Sequence, residues 1–547
     1  IGRKCYNMKR QTFIQGSILL IGSAIVVKLI GAFFKIPLAN VLGGNGMNYF
    51  GCSYSLFLPI YAVMINGLSP AVSKLTAERV SIGDYTTIEK IRRGSLIVFT
   101  IVGVLGSILM IVCSKIFCTY IAESPKSYLS VIALAPSVLF GCVCSVYRGY
   151  YEGLCNMLPT SLSQLVEAVS KLIFGLSLSY YTISNYDTLS RYFSDSDVYS
   201  LASASAILGI SLSTGVGLLI MLLFEPFRKK SKVEAISNVE RRLLVKELVS
   251  IMIPIAVGSL VTNLTTIIDL ATIIRCIEDV PESTLSKSYG VYSKVEDFSG
   301  FVYGSYSGLA ITIFNLVPSI TNMLSKGALP NITTSWKHKD LHSVQKDFCD
   351  MIAITSMIAI PSGLGIVALS KQILLFLYPQ RVNEVSVCYE ALSCMGVGVV
   401  FLCLSFPIFS VLQGIDRADL PIKIMLVGVL VKLIGNILLL SNSKTILYGA
   451  GISTSICYFV IFLMSFVAFV RVTNIKVNLF KILLPISYGA ILCSISAVIS
   501  VNVLSNYLSS RLSLLLSIMI GGLVYVLTLY LTNFKVTDTL SFRRIKE

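Results

Sequence analysis

The chain has 547 residues, of which 55% are hydrophobic and only 13% charged, with a mean hydropathy of +0.80 and a formal net charge of +16. Soluble globular domains carry about a quarter charged residues, so these figures exclude a water-soluble enzyme. The basic excess reads as loops that set membrane topology, rather than as a nucleic-acid surface.

The first apolar run, 14–39, is too long for the apolar region of a signal peptide. No small-residue cleavage site follows it, so it is expected to stay as the first membrane span. It carries Lys28 and Lys35 two helical turns apart on one face, with Gly31 and Ala32 between them. Residues that small would let a neighbouring helix come close. Further spans are expected near 50–75, 95–117, 128–149, 160–181, 200–224, 247–274, 297–323, 348–369, 386–411, 420–441, 445–470, 482–503 and 511–533. That gives an all-α integral membrane protein of about fourteen transmembrane helices, each near the roughly 20 residues that cross about 30 Å of hydrocarbon. The longest polar links, 225–246, 275–296 and 324–347, leave no room for a soluble domain.

Charges inside these spans are the candidates for function. Arg148 closes the fourth span. The fifth carries a polar stripe of Ser163, Gln164, Glu167, Ser170 and Lys171. Glu167 and Lys171 stand at i,i+4, so a pair within their own helix is the structural reading. Asp269 and Arg275 lie toward the outer end of the seventh span, and Lys432 and Asn436 form a second stripe in the eleventh. A lysine at a helix centre costs roughly 2.5–3.5 kcal/mol on insertion scales, so it must face a wet cavity or a partner. A cationic cavity suits an anionic substrate such as a phosphate or diphosphate, which lysine holds as a point charge.

Of the 44 Lys and Arg, 30 fall on the side of the N-terminus, 10 on the other side and four in mid-span. That excess places both termini in the cytoplasm. An internal repeat supports the same map. Gly67-Leu-Ser-Pro70 matches Gly327-Ala-Leu-Pro330, Glu152-Gly153 matches Gln413-Gly414, and Lys171-Leu-Ile matches Lys432-Leu-Ile, all 260 or 261 residues apart. Six spans separate the copies, so the duplication is parallel. The expected domains are a six-helix lobe over 1–235, a second pseudo-symmetric six-helix lobe over 236–478, and two extra helices with a cytoplasmic tail over 479–547.

The remaining features are plainer. His338 and His342 stand at i,i+4 in a Lys-rich segment with no third ligand evident, which reads as a solvated face rather than a metal pair. Arg228-Lys-Lys-Ser-Lys232 suits contact with anionic lipid. Fourteen scattered cysteines include no C-x-x-C pair and read as small apolar packing. No Walker loop, nucleophile elbow or kinase signature is present. No catalytic residue, metal or cofactor is therefore expected.

Gly67-Leu-Ser-Pro-Ala-Val-Ser-Lys-Leu-Thr-Ala-Glu78 with Gly83-Asp84-Tyr85 resembles the loop after the second helix in the polysaccharide-transporter branch of the MOP flippase superfamily. Tyr147-Arg-Gly-Tyr-Tyr-Glu-Gly-Leu-Cys-Asn-Met-Leu-Pro-Thr160, with Gln164 and Glu167, resembles the same branch, and within it the stage V sporulation protein B group, related to lipid II flippases of the MurJ type. The resemblance implies a MATE-like fold and export of an undecaprenyl-diphosphate-linked saccharide across the cytoplasmic membrane by alternating access. It implies cavity cations that hold the diphosphate, Lys28 matching one by motif position and Lys35 standing one place from another. It also implies that the last two helices guide the lipid tail. The chain departs from MurJ-type relatives at Tyr61-Ala62 and between Gly300 and Met323, where their arginines have no counterpart. The expected partners are the lipid-linked saccharide, membrane lipids and a coupling ion that the sequence does not name. Two other functions stay open: a MATE-type cation or drug antiporter, which would want an acidic cavity built on Glu167 and Asp269, and a non-transporting scaffold for cell-wall or spore assembly.

Overall fold

The computed structural model describes residues 13–189, 191, 197–225, 238–280, 297–327, 329–441, 445–475 and 477–532. The Arg228–Lys232 run lies outside the described residues. Every described element is helical. In chain order the helices are α1 (Phe13–Tyr61), α2 (Leu68–Ile82), α3 (Tyr85–Ile116), α4 (Tyr128–Leu134), α5 (Pro136–Gly153), α6 (Leu158–Ser184), α7 (Tyr186–Leu189), α8 (Val198–Leu223) and α9 (Asn238–Glu278). They continue as α10 (Phe298–Ser305), α11 (Ile311–Phe314), α12 (Leu316–Gly327), α13 (Leu329–Lys337), α14 (Leu341–Leu377), α15 (Val382–Gly414), α16 (Asp419–Leu440), α17 (Ile446–Thr473), α18 (Leu479–Leu504) and α19 (Ser510–Leu531).

The protein is a multi-pass membrane protein. Among the described residues twelve helices are long and apolar enough to cross a bilayer, or thirteen when the bent pair Phe298–Phe314 and Leu316–Lys326 counts as one span. The expected count of fourteen is not reached on that criterion. The expected span 50–75 and most of 14–39 fall in one helical run, Gly22–Val80, of 59 residues. Straight, that run would be about 90 Å long, three times the hydrocarbon thickness. It does not stay straight: Gly43, at φ 64° and ψ −169°, breaks the helix in α1, in a conformation that costs glycine no Cβ clash.

The described residues form two compact units, one ending at Ile274 and the next beginning at Arg275. The same local devices recur in both. Gly67 leads into α2 and Gly327 ends α12 just before α13. Asp84 then caps α3 by accepting from the Thr87 N–H at 3.1 Å, and Asp340 caps α14 by accepting from the Ser343 N–H at 3.0 Å. α5 ends at Gly153 with Cys155 at φ 58°, and α15 ends at Gly414 with Asp416 at φ 61°. After each helix the same bond closes the turn: the Asn156 N–H donates to Tyr151 O at 3.0 Å, and the Arg417 N–H donates to Leu412 O at 2.9 Å. Donor, acceptor and left-handed residue are all displaced by 261 positions. Two of the three short motifs thus stand at matching helix ends, and the third, Lys-Leu-Ile, lies within α6 and α16.

In the first unit α6 lies along α8 at close range. A Cβ on Gly209 would stand 2.6 Å from the Gly175 backbone nitrogen, and one on Gly175 would stand 2.6 Å from the Phe34 ring. In a bilayer, where packing rather than water exclusion holds helices together, such small-residue crossings are the main adhesive. α3 turns the other way and exposes Ile101, Leu105, Ile108 and Val112, a face suited to acyl chains. In the second unit α15 is the central helix, packed between α14 and α17, with Phe348 and Phe469 stacked at 4.2 Å nearby. α18 and α19 pair with each other and lie on α14 through Ile360, Ile486, Ala490 and Leu529. The Tyr525 hydroxyl donates to Met357 O at 3.1 Å and ties α19 to α14.

Candidate functional site

The fifth span folds as α6, entered through Pro159 in its first turn, where a missing N–H costs nothing. Its polar stripe meets Arg148 of α5. The Arg148 Nη2 donates to Glu167 Oε2 at 2.6 Å and to Ser163 Oγ at 2.9 Å. Ser163 passes its own proton on to Gly217 O of α8 at 3.0 Å, so one serine links three helices. A Cβ on Gly217 would come within 3.1 Å of Glu167 Oε2, so the glycine leaves the carboxylate its space. The pair is 14% exposed at Arg148 and 26% at Glu167. At that burial a short charge-assisted bond is worth more than a surface ion pair.

Glu167 therefore spends its charge across helices and not on Lys171, contrary to the i,i+4 reading. Lys171 is half-buried; its Nζ donates to the Tyr54 hydroxyl at 3.4 Å and lies 5.1 Å from the Phe34 ring centroid and 5.8 Å from that of Tyr54. Ring faces hold a cation without cancelling its charge. Lys28 is exposed and Lys35 half-buried, both on α1 before the Gly43 break. Lys171 is near enough to interact with both by Coulomb repulsion. Among the described residues none of these three ammonium groups has a carboxylate within 4 Å. Gly31, expected to admit a neighbouring helix, has open space where its side chain would be. The close approach to α6 occurs instead at Phe34, against Gly175.

The other expected residues do not join this cluster. Gln164 is half-buried on the same stripe. Asp269 is buried on α9, and Arg275, at the start of the second unit, is exposed. Lys432 and Asn436 of α16 are both buried, at 3% and 0% exposure, and the Ser453 hydroxyl of α17 donates to the Lys432 carbonyl at 3.0 Å. His338 follows α13 and His342 stands in the first turn of α14, both exposed. Sequence reasoning missed the aromatic wall. Phe50, Tyr54, Phe57 and Tyr61 follow one another along α1 with ring centroids 4.8, 5.9 and 5.2 Å apart. Their i, i+4, i+7, i+11 spacing was the available signal. Tyr61 is also close enough to Arg148 and Glu167 to feel both charges.

Known proteins share this arrangement of helices. A family model described as polysaccharide biosynthesis protein matches residues 13–328, and one described as MatE matches residues 305–438. Stage V sporulation protein B of Bacillus subtilis (strain 168) is 22% identical over 434 residues, which cover 78% of this chain and 77% of that protein. Lipid II flippase MurJ of the same organism is 21% identical over 475 residues, covering 84% and 82%. A solved structure of lipid II flippase MurJ in an inward closed conformation superposes with a TM-score of 0.64 at 15% identity, covering 95% of this chain and all of that one. At that identity the likeness establishes a shared fold.

Proposed function

The chain belongs to the polysaccharide biosynthesis protein family, and on that footing we propose that it is a flippase for a lipid-linked saccharide whose head carries a phosphate or diphosphate. Lipid II, the substrate in the name of a relative, and related undecaprenyl-diphosphate-linked precursors of wall, spore cortex or polysaccharide fit this class. In this reading the membrane is the cytoplasmic one, both termini are cytoplasmic, and transport is by alternating access. The duplication, with lobe boundaries near 235 and 478, is part of the same proposal.

One observation supports it: Lys171 lies close enough to Lys28 and to Lys35 to repel both, and among the described residues none of the three ammonium groups has a carboxylate within 4 Å, although the Glu167 charge is felt at Lys171. A protein would not hold like charges this way for stability, because each is costly in hydrocarbon and each repels the others. An anion that bridges them adds attractions that offset this repulsion. Arg148 adds a fourth cation, already matched by Glu167, and serves to fix α5 on α6. Gln164 and Asp269 stay in the proposal as further cavity residues, and Lys432 and Asn436, buried at 3% and 0% exposure, would join them only in a state that opens α16 from α17. Export of an anion is favoured by an inside-negative potential, at roughly 2.3 kcal/mol per charge per 100 mV. A cation antiporter is the poorer reading, since Glu167, the carboxylate beside Lys171, is ion-paired with Arg148.

The test is complementation of a depleted strain, with the lipid-linked precursor quantified in each leaflet. Lys28→Ala with Lys171→Ala should abolish export while the purified variant stays monodisperse, and Lys171→Arg should restore most of it. Full export by the double alanine variant would sink the proposal.

A further inference from the structure

The second unit holds an open cavity of about 520 Å³ lined by α14 and α15, with Tyr448 of α17 also in its wall. That is an ordinary size for a small-molecule or headgroup site. Its charged walls come from two helices. Lys371 of α14 is exposed, and its Nζ lies 5.4 Å from the Tyr389 ring centroid. Glu390 of α15 is half-buried and accepts from the Tyr389 hydroxyl at 3.0 Å. Among the described residues Lys371 has no carboxylate within 4 Å and Glu390 has no cation within 4 Å. The two face one cavity, have opposite sign, and do not close on each other. Gln372 adds an amide that can donate or accept.

The depth of the cavity narrows the ligand. Lys371 lies six residues before the end of α14 and Tyr389 seven residues after the start of α15. Both are therefore about 9–10 Å below the helix ends. α14 has 37 residues and α15 has 33, both more than the roughly 20 that cross the hydrocarbon, and α14 breaks at Leu369 (φ −121°, ψ 19°), two residues before Lys371. A site this near the ends of two helices longer than a span suits a ligand at the boundary of headgroups and acyl chains. Val367 and Ala368 line it, and on α15 one turn past Cys394 Val397 is 43% exposed.

We propose that this cavity binds a zwitterionic phospholipid headgroup of the phosphatidylethanolamine type. Lys371 takes the phosphate, and Glu390 takes the primary ammonium with the Tyr389 ring beside it. An anionic lipid would meet Glu390 with its surplus charge, and a trimethylammonium headgroup has no N–H to give the carboxylate. The proposal does not depend on what the protein transports.

The full-length protein in mixed micelles, presented with equal amounts of phosphatidylethanolamine, phosphatidylcholine and phosphatidylglycerol, is read by native mass spectrometry. Phosphatidylethanolamine should be retained over both others. Lys371→Ala and Glu390→Gln should each lower its retention about fivefold, the upper end for an exposed ion pair. The charge exchange Lys371→Glu with Glu390→Lys should recover most of it, which separates recognition from misfolding. Equal retention of phosphatidylglycerol, or single variants that bind as the parent does, overturns the proposal. Soluble phosphoethanolamine is the competing source of the same chemistry. If it fills the site and no lipid is retained, the assignment to a bilayer lipid is also overturned.

Discussion

Lys-Leu-Ile stands at Lys171 on α6 and, 261 positions on, at Lys432 on α16, besides a copy at Lys28 on α1, and Lys171 and Lys432 end in opposite surroundings. Lys171 is half-buried over the rings of Phe34 and Tyr54. Lys432 is 3% exposed. The neighbours 261 positions apart explain the split. Glu167 corresponds to Gly428, Arg148 to Phe409, and Ser163 to Ile424. The hydrogen-bonded ion pair of the first unit is replaced by an apolar cluster in the second, where Ile424, Cys457 and Ile461 pack with Phe409. Phe174 corresponds to Gly435, and a Cβ on Gly435 would stand 2.6 Å from Ser453 Oγ. Without one, α17 closes over Lys432. The two matched stretches share their helix ends and differ in what lies between them.

The sharpest way to break this comparison is to remove each lysine and measure thermal unfolding of the purified protein. Lys432→Ala removes a buried group and leaves the polar atoms around it unsatisfied, so it should cost about 2–4 kcal/mol. Lys171→Ala relieves repulsion with Lys28 and Lys35 and should leave stability within about 0.5 kcal/mol. Equal losses would mean that both lysines are structural, and the cationic cluster would lose its meaning. Next in size is the link between α5 and α6. A double-mutant cycle on Arg148→Ala and Glu167→Ala should show a coupling of about 1–3 kcal/mol. A coupling near zero would show that the 2.6 Å contact is not a stabilising device, and that Glu167 is free for another role.

Much of the fold was legible from hydropathy. The expected spans 200–224, 420–441, 445–470 and 482–503 differ from α8, α16, α17 and α18 by a few residues at each end, because about 20 apolar residues can satisfy their backbone in a bilayer only as a helix. The charged residues inside the spans were legible one by one, but their contacts were not, and neither was which of them cluster. Helical periodicity joins Glu167 to Lys171, four positions apart, and has no term for Arg148, 19 positions back. Which of two partners wins is settled by how α5 crosses α6, and small residues such as Gly217 decide that locally. The cavity of the second unit was invisible for the same reason. Lys371 reads as a loop charge and Glu390 as an isolated carboxylate until the turn at 378–381 folds their helices side by side.

The smallest expected effect tests the conserved half of the comparison, the helix caps. Asp84 accepts from the Thr87 N–H at 3.1 Å and from the Thr86 hydroxyl at 2.8 Å. Hydrogen bonds from Thr87, side chain and backbone, hold its carboxyl below the usual range, and those from Ser343 do the same at Asp340. A carboxyl depressed in the folded state adds stability that is complete above its unfolded value and is lost as pH falls through the folded one. Both caps should therefore work fully at neutral pH and fade in acid, below the ordinary carboxylate range. Asp84→Ala should cost about 1 kcal/mol at neutral pH, and Asp340→Ala a small loss of the same sign. Asp84→Asn keeps an acceptor without the charge, so it should keep the cap and remove its acid sensitivity in unfolding scans at stepped pH. Because the two caps share one geometry, their alanine variants should behave alike where the two lysine variants diverge. If the cap variants differ as widely as the lysines do, the helix ends have diverged too, and the repeat survives only as sequence.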